Sequence, residues 1–66
     1  MTEARAYERA HARSIKHPAH TFYVVREEQN DGTMYDACTA NDLDTFYQGI
    51  TDSNILACYE AGERQE

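Results

Sequence analysis

The chain has 66 residues, with six Lys or Arg against twelve Asp or Glu, and a formal charge of −6 at pH 7. That length makes one small domain, residues 1–66, which buries only about 60% of its unfolded surface. The negative balance excludes generic nucleic-acid binding, which needs Lys and Arg clustered against phosphates, and opposes attraction to anionic membranes.

The N-terminal segment Thr2 to Ile15 reads as a helix. Thr2 can cap it, Glu3 lies in the first turn, and Ala, Arg and Glu favour the conformation. Tyr7, Ala10 (or His11) and Ile15 trace a narrow apolar stripe headed by Ala4. Arg5, Arg9 and Arg13 recur at four-residue spacing, which is mildly repulsive unless another charge answers it. Pro18 ends the element and pushes His17 towards extended geometry.

His20 to Glu28 reads as a strand around Phe22-Tyr23-Val24-Val25. Its apolar character on both faces suits a central or doubly covered position. Asn30-Asp31-Gly32 then signals a hairpin. A three-residue loop with Gly32 in the left-handed region would pair Arg26 with Asp36, Val25 with Ala37 and Val24 with Cys38. A two-residue Asp31-Gly32 turn would instead oppose Glu27 to Asp36, which is repulsive. The second strand is expected over Thr33 to Thr39.

A second helix is expected over Asn41 to Gln48, capped by Thr39 or Asn41, with Leu43, Phe46, Tyr47 and Ile50 at helical spacing. Gly49 offers a left-handed cap. Asn54 to Glu60 alternates as a third strand, and the tail, residues 61–66, is expected to fray. The order is α-β-β-α-β. The simplest architecture is α+β: a three-stranded, mostly antiparallel sheet with the helices on one face.

The core is thin. Nine residues are Leu, Ile, Val or Phe, below the roughly 20% at which a charged chain tends to disorder. Five tyrosines partly compensate, since each carries an apolar body and a polar tip. A chain this sparse in apolar bulk gains from oligomerisation or a partner. Two cysteines, Cys38 and Cys58, are too few for a disulfide framework. No run approaches the ~20 apolar residues of a membrane span, and the first residues lack a secretory signal. The chain therefore reads as cytoplasmic.

Catalytic and metal chemistry find little support. His17, His20, Cys38 and Cys58 could supply four zinc ligands, but the cysteines are not paired as structural sites require, and both fall in strands where a small buried thiol is ordinary. Neither cysteine sits at a helix N-terminus that would activate it. Sets built on Ser14 or Ser53 lack room for a pocket in so small a body. The loop at Asn30-Asp31-Gly32 is too short for calcium, and no phosphate-cradling glycine loop occurs. The reading is a non-enzyme without cofactor or metal.

Charge is segregated along the chain. Residues 1–26 carry five basic side chains against two acidic ones, with all three histidines; residues 27–66 carry ten acidic side chains against Arg64, a balance of 1 − 10 = −9. Such a surface favours a basic protein partner and speeds encounter with it. Tyrosine among carboxylates suits an interface anchor.

Its size, its strong negative charge, the hairpin around Asn30-Asp31-Gly32 and the helix–strand ending from Asp42 to Glu60 give the chain its overall form. In that form it resembles the small acidic inhibitors of phages and other mobile elements, anti-CRISPR proteins in particular. The resemblance implies an inhibitor that occupies a basic, nucleic-acid-binding surface of a host defence complex, with carboxylates standing in for phosphates and no direct contact with nucleic acid. The expected contact residues are Glu27, Glu28, Asp31, Asp36, Asp42, Asp44 and Asp52, with Tyr35 and Tyr47 as anchors. The alternative is a homo-oligomeric structural or regulatory module, a homodimer in the simplest case, in which the basic N-terminal helix of one chain meets the acidic face of another.

Overall fold

The computed structural model describes residues 1–47 and 50–65. Its first element, α1, spans Glu3–Lys16, and the Thr2 hydroxyl accepts the Arg5 N–H at 3.2 Å. Glu3 in the first turn and Arg13 and Lys16 in the last both complement the helix dipole. The buried face differs from the expected stripe. It consists of Ala6, Ala10 and Ser14, while Ile15 is 58% exposed and Tyr7 is half-buried. Residues four apart share one helix face, and three small ones let the helix backbone approach the sheet closely.

The sheet has four strands rather than the expected three. They are β1 (Thr21–Gln29), β2 (Gly32–Thr39), β3 (Ile55–Glu60) and β4 (Glu63–Gln65), in the order β2-β1-β3-β4 with every neighbouring pair antiparallel. The doubly apolar β1 lies inside the sheet, and Phe22, Val24 and Val25 are all buried.

The hairpin register is shifted by one residue from the expectation. Gln29 pairs with Gly32, so the loop is Asn30-Asp31, and Val24 opposes Ala37, Val25 opposes Asp36 and Arg26 opposes Tyr35. A single step in register sends every side chain to the other face. The observed step puts Ala37 and Tyr35 beside Val24 beneath α1 and sends Asp36 to the opposite side, whereas the expected one would have turned Asp36 into the core. Gly32 does hold a positive φ of 137°.

The tail expected to fray is β4. Glu60 pairs with Glu63 across a two-residue turn in which Ala61 and Gly62 both have positive φ, 51° and 85°. Two left-handed residues match the twist of a hairpin. Alanine is unusual at such a position, and this is why the turn is not evident from sequence. Where β1 meets β3, the register shifts between Val24 and Val25, inserting Leu56 as a bulge.

Between β2 and β3 the chain forms α2 (Ala40–Phe46) and a 3-10 turn (Asp52–Asn54). α2 is shorter than expected. Its start is fixed by a reciprocal pair of bonds: the Thr39 hydroxyl accepts the Asp42 N–H and the Asp42 carboxylate accepts the Thr39 N–H, each at 3.2 Å. The expected cap at Gly49 and the helix end at Gln48 lie outside the described residues. Asn54 ties the 3-10 turn to the sheet by donating from its side chain to the Arg26 carbonyl at 2.9 Å.

The two helices do not share one cluster. α1 covers Phe22, Val24, Ala37 and Ala57, flanked by Tyr7, Tyr35, Leu56 and Tyr59. Val25 and Cys38 are buried outside that cluster. α2 contacts β2 and β1, and Tyr47, the residue after it, bonds Asp36 on the opposite side of β2 from Ala37. No helix among the described residues is long and apolar enough to cross a membrane.

Candidate functional site

β2 is an edge strand, and a groove runs along it. Arg9 and Arg13 of α1 form one wall. Asp42 and Phe46 of α2, with Tyr47, form the other, and Met34, Asp36 and Cys38 lie along the strand between them. Glu27 of β1 completes the acidic side.

The carboxylates along this groove have definite partners. Asp36 Oδ2 accepts the Tyr47 hydroxyl at 2.6 Å, and Asp36 Oδ1 accepts the Ala37 N–H at 2.8 Å. Asp42 closes the cap of α2 through the Thr39 N–H. Two amides of the edge strand are thereby bonded by side chains of the same chain. That blunts the edge against strand addition. The Glu27 carboxylate accepts the Gln29 side-chain amide at 3.2 Å.

These neighbours set the protonation of the groove. Burial pushes the Cys38 thiol up to about 12, and the charges of Asp36 and Asp42 add to the effect. Burial, followed by the hydrogen bond to Asp36, raises the Tyr47 phenol well above its ordinary value. Cys58 is raised as well, by burial and then by Glu60. Both thiols therefore stay protonated at neutral pH, which opposes a thiolate nucleophile. The two cysteines lie on opposite neighbours of Tyr23, one on β2 and one on β3. His17 and His20 stack edge-on with ring centroids 6.4 Å apart. Among the described residues no three His, Cys, Asp or Glu side chains converge as a metal site.

Of the nine expected contact residues, the structure gathers Glu27, Asp36, Asp42 and Tyr47 at the groove. Glu28 lies on the other face of β1, 2.6 Å from the Arg26 guanidinium, and accepts the Thr33 hydroxyl at 3.1 Å. Tyr35 packs against the cluster beneath α1. Asp31 in the hairpin turn, Asp44 on α2 and Asp52 in the 3-10 turn are exposed. Asp31 lies at the tip of the hairpin, and the 3-10 turn is tied to Arg26, so Glu27, Glu28, Asp31 and Asp52 belong to the hairpin end of the sheet.

Sequence reasoning gave the basic helix only an acidic face on a second copy, so it missed the placement of Arg9 and Arg13 beside carboxylates of their own chain, and it did not single out Phe46. The four-residue spacing of Arg5, Arg9 and Arg13 held the signal for the first, since it aligns them along one side of the helix. A second groove, at the far end of the sheet, is lined by Arg13, Lys16, His17 and His20 with Thr21 and Asn41. Basic side chains gather in this second groove, while exposed Glu60 and Glu63 flank the β3–β4 turn that the last turns of α1 contact. Comparison with protein-family models, with curated proteins and with solved structures finds no match for the chain.

Proposed function

We propose that the chain is a non-catalytic, protein-binding inhibitor of the anti-CRISPR kind, whose acidic hairpin end occupies a basic, nucleic-acid-binding surface of a host protein complex. The observation that carries this reading is charge left unanswered. Arg26–Glu28 is the only ion pair among the described residues, so the exposed carboxylates of Asp31 and Asp52 at the hairpin end project their field into solvent. An uncompensated field of one sign steers association with the opposite sign and loses force as salt rises. Carboxylates on a strand end and an adjoining turn present several negative charges on a rigid frame, as a phosphate backbone does.

The test is capture of partners from bacterial lysate at low salt, with elution at high salt, by the tagged chain and by a variant carrying Glu28→Lys, Asp31→Lys and Asp52→Lys. One stoichiometric complex that normally binds nucleic acid should elute, and the variant should capture at least ~10-fold less, with a flatter salt dependence. Equal capture by the variant would remove the mimicry reading.

A further inference from the structure

The groove along β2 has walls of opposite charge, and this defines a second surface, which shares Glu27 with the acidic hairpin end. Arg9 and Arg13 are exposed and have no ion-pair partner among the described residues, although Asp36 and Asp42 line the same groove. On the acidic wall Phe46 is 73% exposed, the most exposed large apolar side chain described. A free aromatic beside carboxylates, facing unpaired guanidinium groups, is a complementary pair that one chain does not close on itself.

We infer that two copies of this chain associate through the β2-edge groove about a two-fold axis parallel to the strand, each copy's Arg9 and Arg13 meeting the other's Glu27, Asp42 and Phe46. The symmetry decides between two ways of joining. An axis perpendicular to the sheet would extend it by antiparallel β2–β2 pairing, setting basic wall against basic wall and acidic against acidic. It would also need the Ala37 and Thr39 amides, which Asp36 and Asp42 already bond. An axis along the groove inverts one copy relative to the other, so that unlike walls meet twice in one closed, self-complementary contact. Phe46 then lies over the partner's guanidinium groups, where a cation and a ring face attract. A standard interface covers about 800 Å² per partner, under a fifth of the 4588 Å² surface. The added burial relieves the thin core of a chain this small.

Sedimentation equilibrium across a concentration series tests this with purified protein alone. The wild-type chain should dimerise at low salt, with the dissociation constant rising at least ~10-fold towards about 0.5 M salt. The variants Arg9→Glu/Arg13→Glu and Glu27→Lys/Phe46→Lys should each be monomeric, with circular dichroism confirming the fold. Mixed in equal amounts they should form a heterodimer, because reversing opposite walls restores both contacts. Phe46→Ala, at an exposed position that folding does not need, should by itself weaken the dimer at least ~10-fold. A monomeric wild type overturns the inference. So does a dimer that ignores the reversals, which would indicate sheet extension, and so does a failure of the mixture to pair.

Discussion

The Ser14 hydroxyl accepts the backbone N–H of Gly62 at 3.0 Å and donates to the His11 carbonyl at 2.7 Å. Ser14 is fully buried, so one side chain joins the last turns of α1 to the β3–β4 turn, forty-eight residues away. Ser14→Ala should cost about 1–3 kcal/mol in urea unfolding, since it removes a buried hydrogen bond and strips the Gly62 amide of its acceptor. β4 should then lose hydrogen-exchange protection before the rest of the sheet. A loss spread evenly over all strands would show that this contact does not secure β4.

Gly62 permits that approach for two separable reasons. Its φ of 85° is strained for any side chain, and a Cβ there would lie 2.8 Å from Ile15 Cγ1. Gly62→Ala should therefore destabilise by about 1–2 kcal/mol from backbone strain, plus a clash. Adding Ile15→Ala, at an exposed position, should recover the clash and leave the strain. Complete recovery in the double variant would mean that the backbone conformation costs nothing.

Much of the fold is legible in the sequence because local chemistry decides it. Thr2 with Glu3 starts α1, Pro18 ends it, the Phe22–Val25 run makes a central strand, and Thr39 with Asp42 starts α2. What escapes is settled between distant parts of the chain. The hairpin register follows from which residues of β2 fit beneath Ala6 and Ala10. β4 follows from Ala61 accepting a positive φ and from Ser14 meeting Gly62. At the groove, the carboxylates are countable in the sequence, but their employment is not. Asp36 and Asp42 bond amides and a phenol of their own chain, and only the tertiary arrangement places Arg9 and Arg13 opposite them.

The same arrangement predicts what Asp36 does for solubility. Asp36→Ala would free the Ala37 N–H on the edge strand and leave the Tyr47 hydroxyl without its acceptor. An open edge amide is a template for another strand, so the variant should aggregate faster than wild type at equal fraction folded, followed by light scattering and a cross-β dye. Tyr47→Phe, which keeps the Ala37 bond, should lose about 1 kcal/mol of stability without the added aggregation. If both variants aggregate alike, stability rather than edge protection is the cause.

Alkaline pH should unfold the protein through the two raised groups at the groove. The unfolded thiol and phenol titrate near 9.0 and 10.0, whereas in the fold Cys38 rises to about 12 and Tyr47 is raised as well. Between these limits the unfolded chain has released protons that the folded chain still holds. It binds fewer protons, so stability falls as pH rises. The contribution is intact below about pH 9 and declines above it, by up to about 1.4 kcal/mol per pH unit for each group fully ionised in the unfolded state only. Urea unfolding at intervals from neutral pH to pH ~11 should show the decline, and Cys38→Ala, which removes the most buried of the titrating groups, should make it shallower. A stability curve flat across that range would show that neither the thiol nor the phenol is shielded as the groove geometry requires.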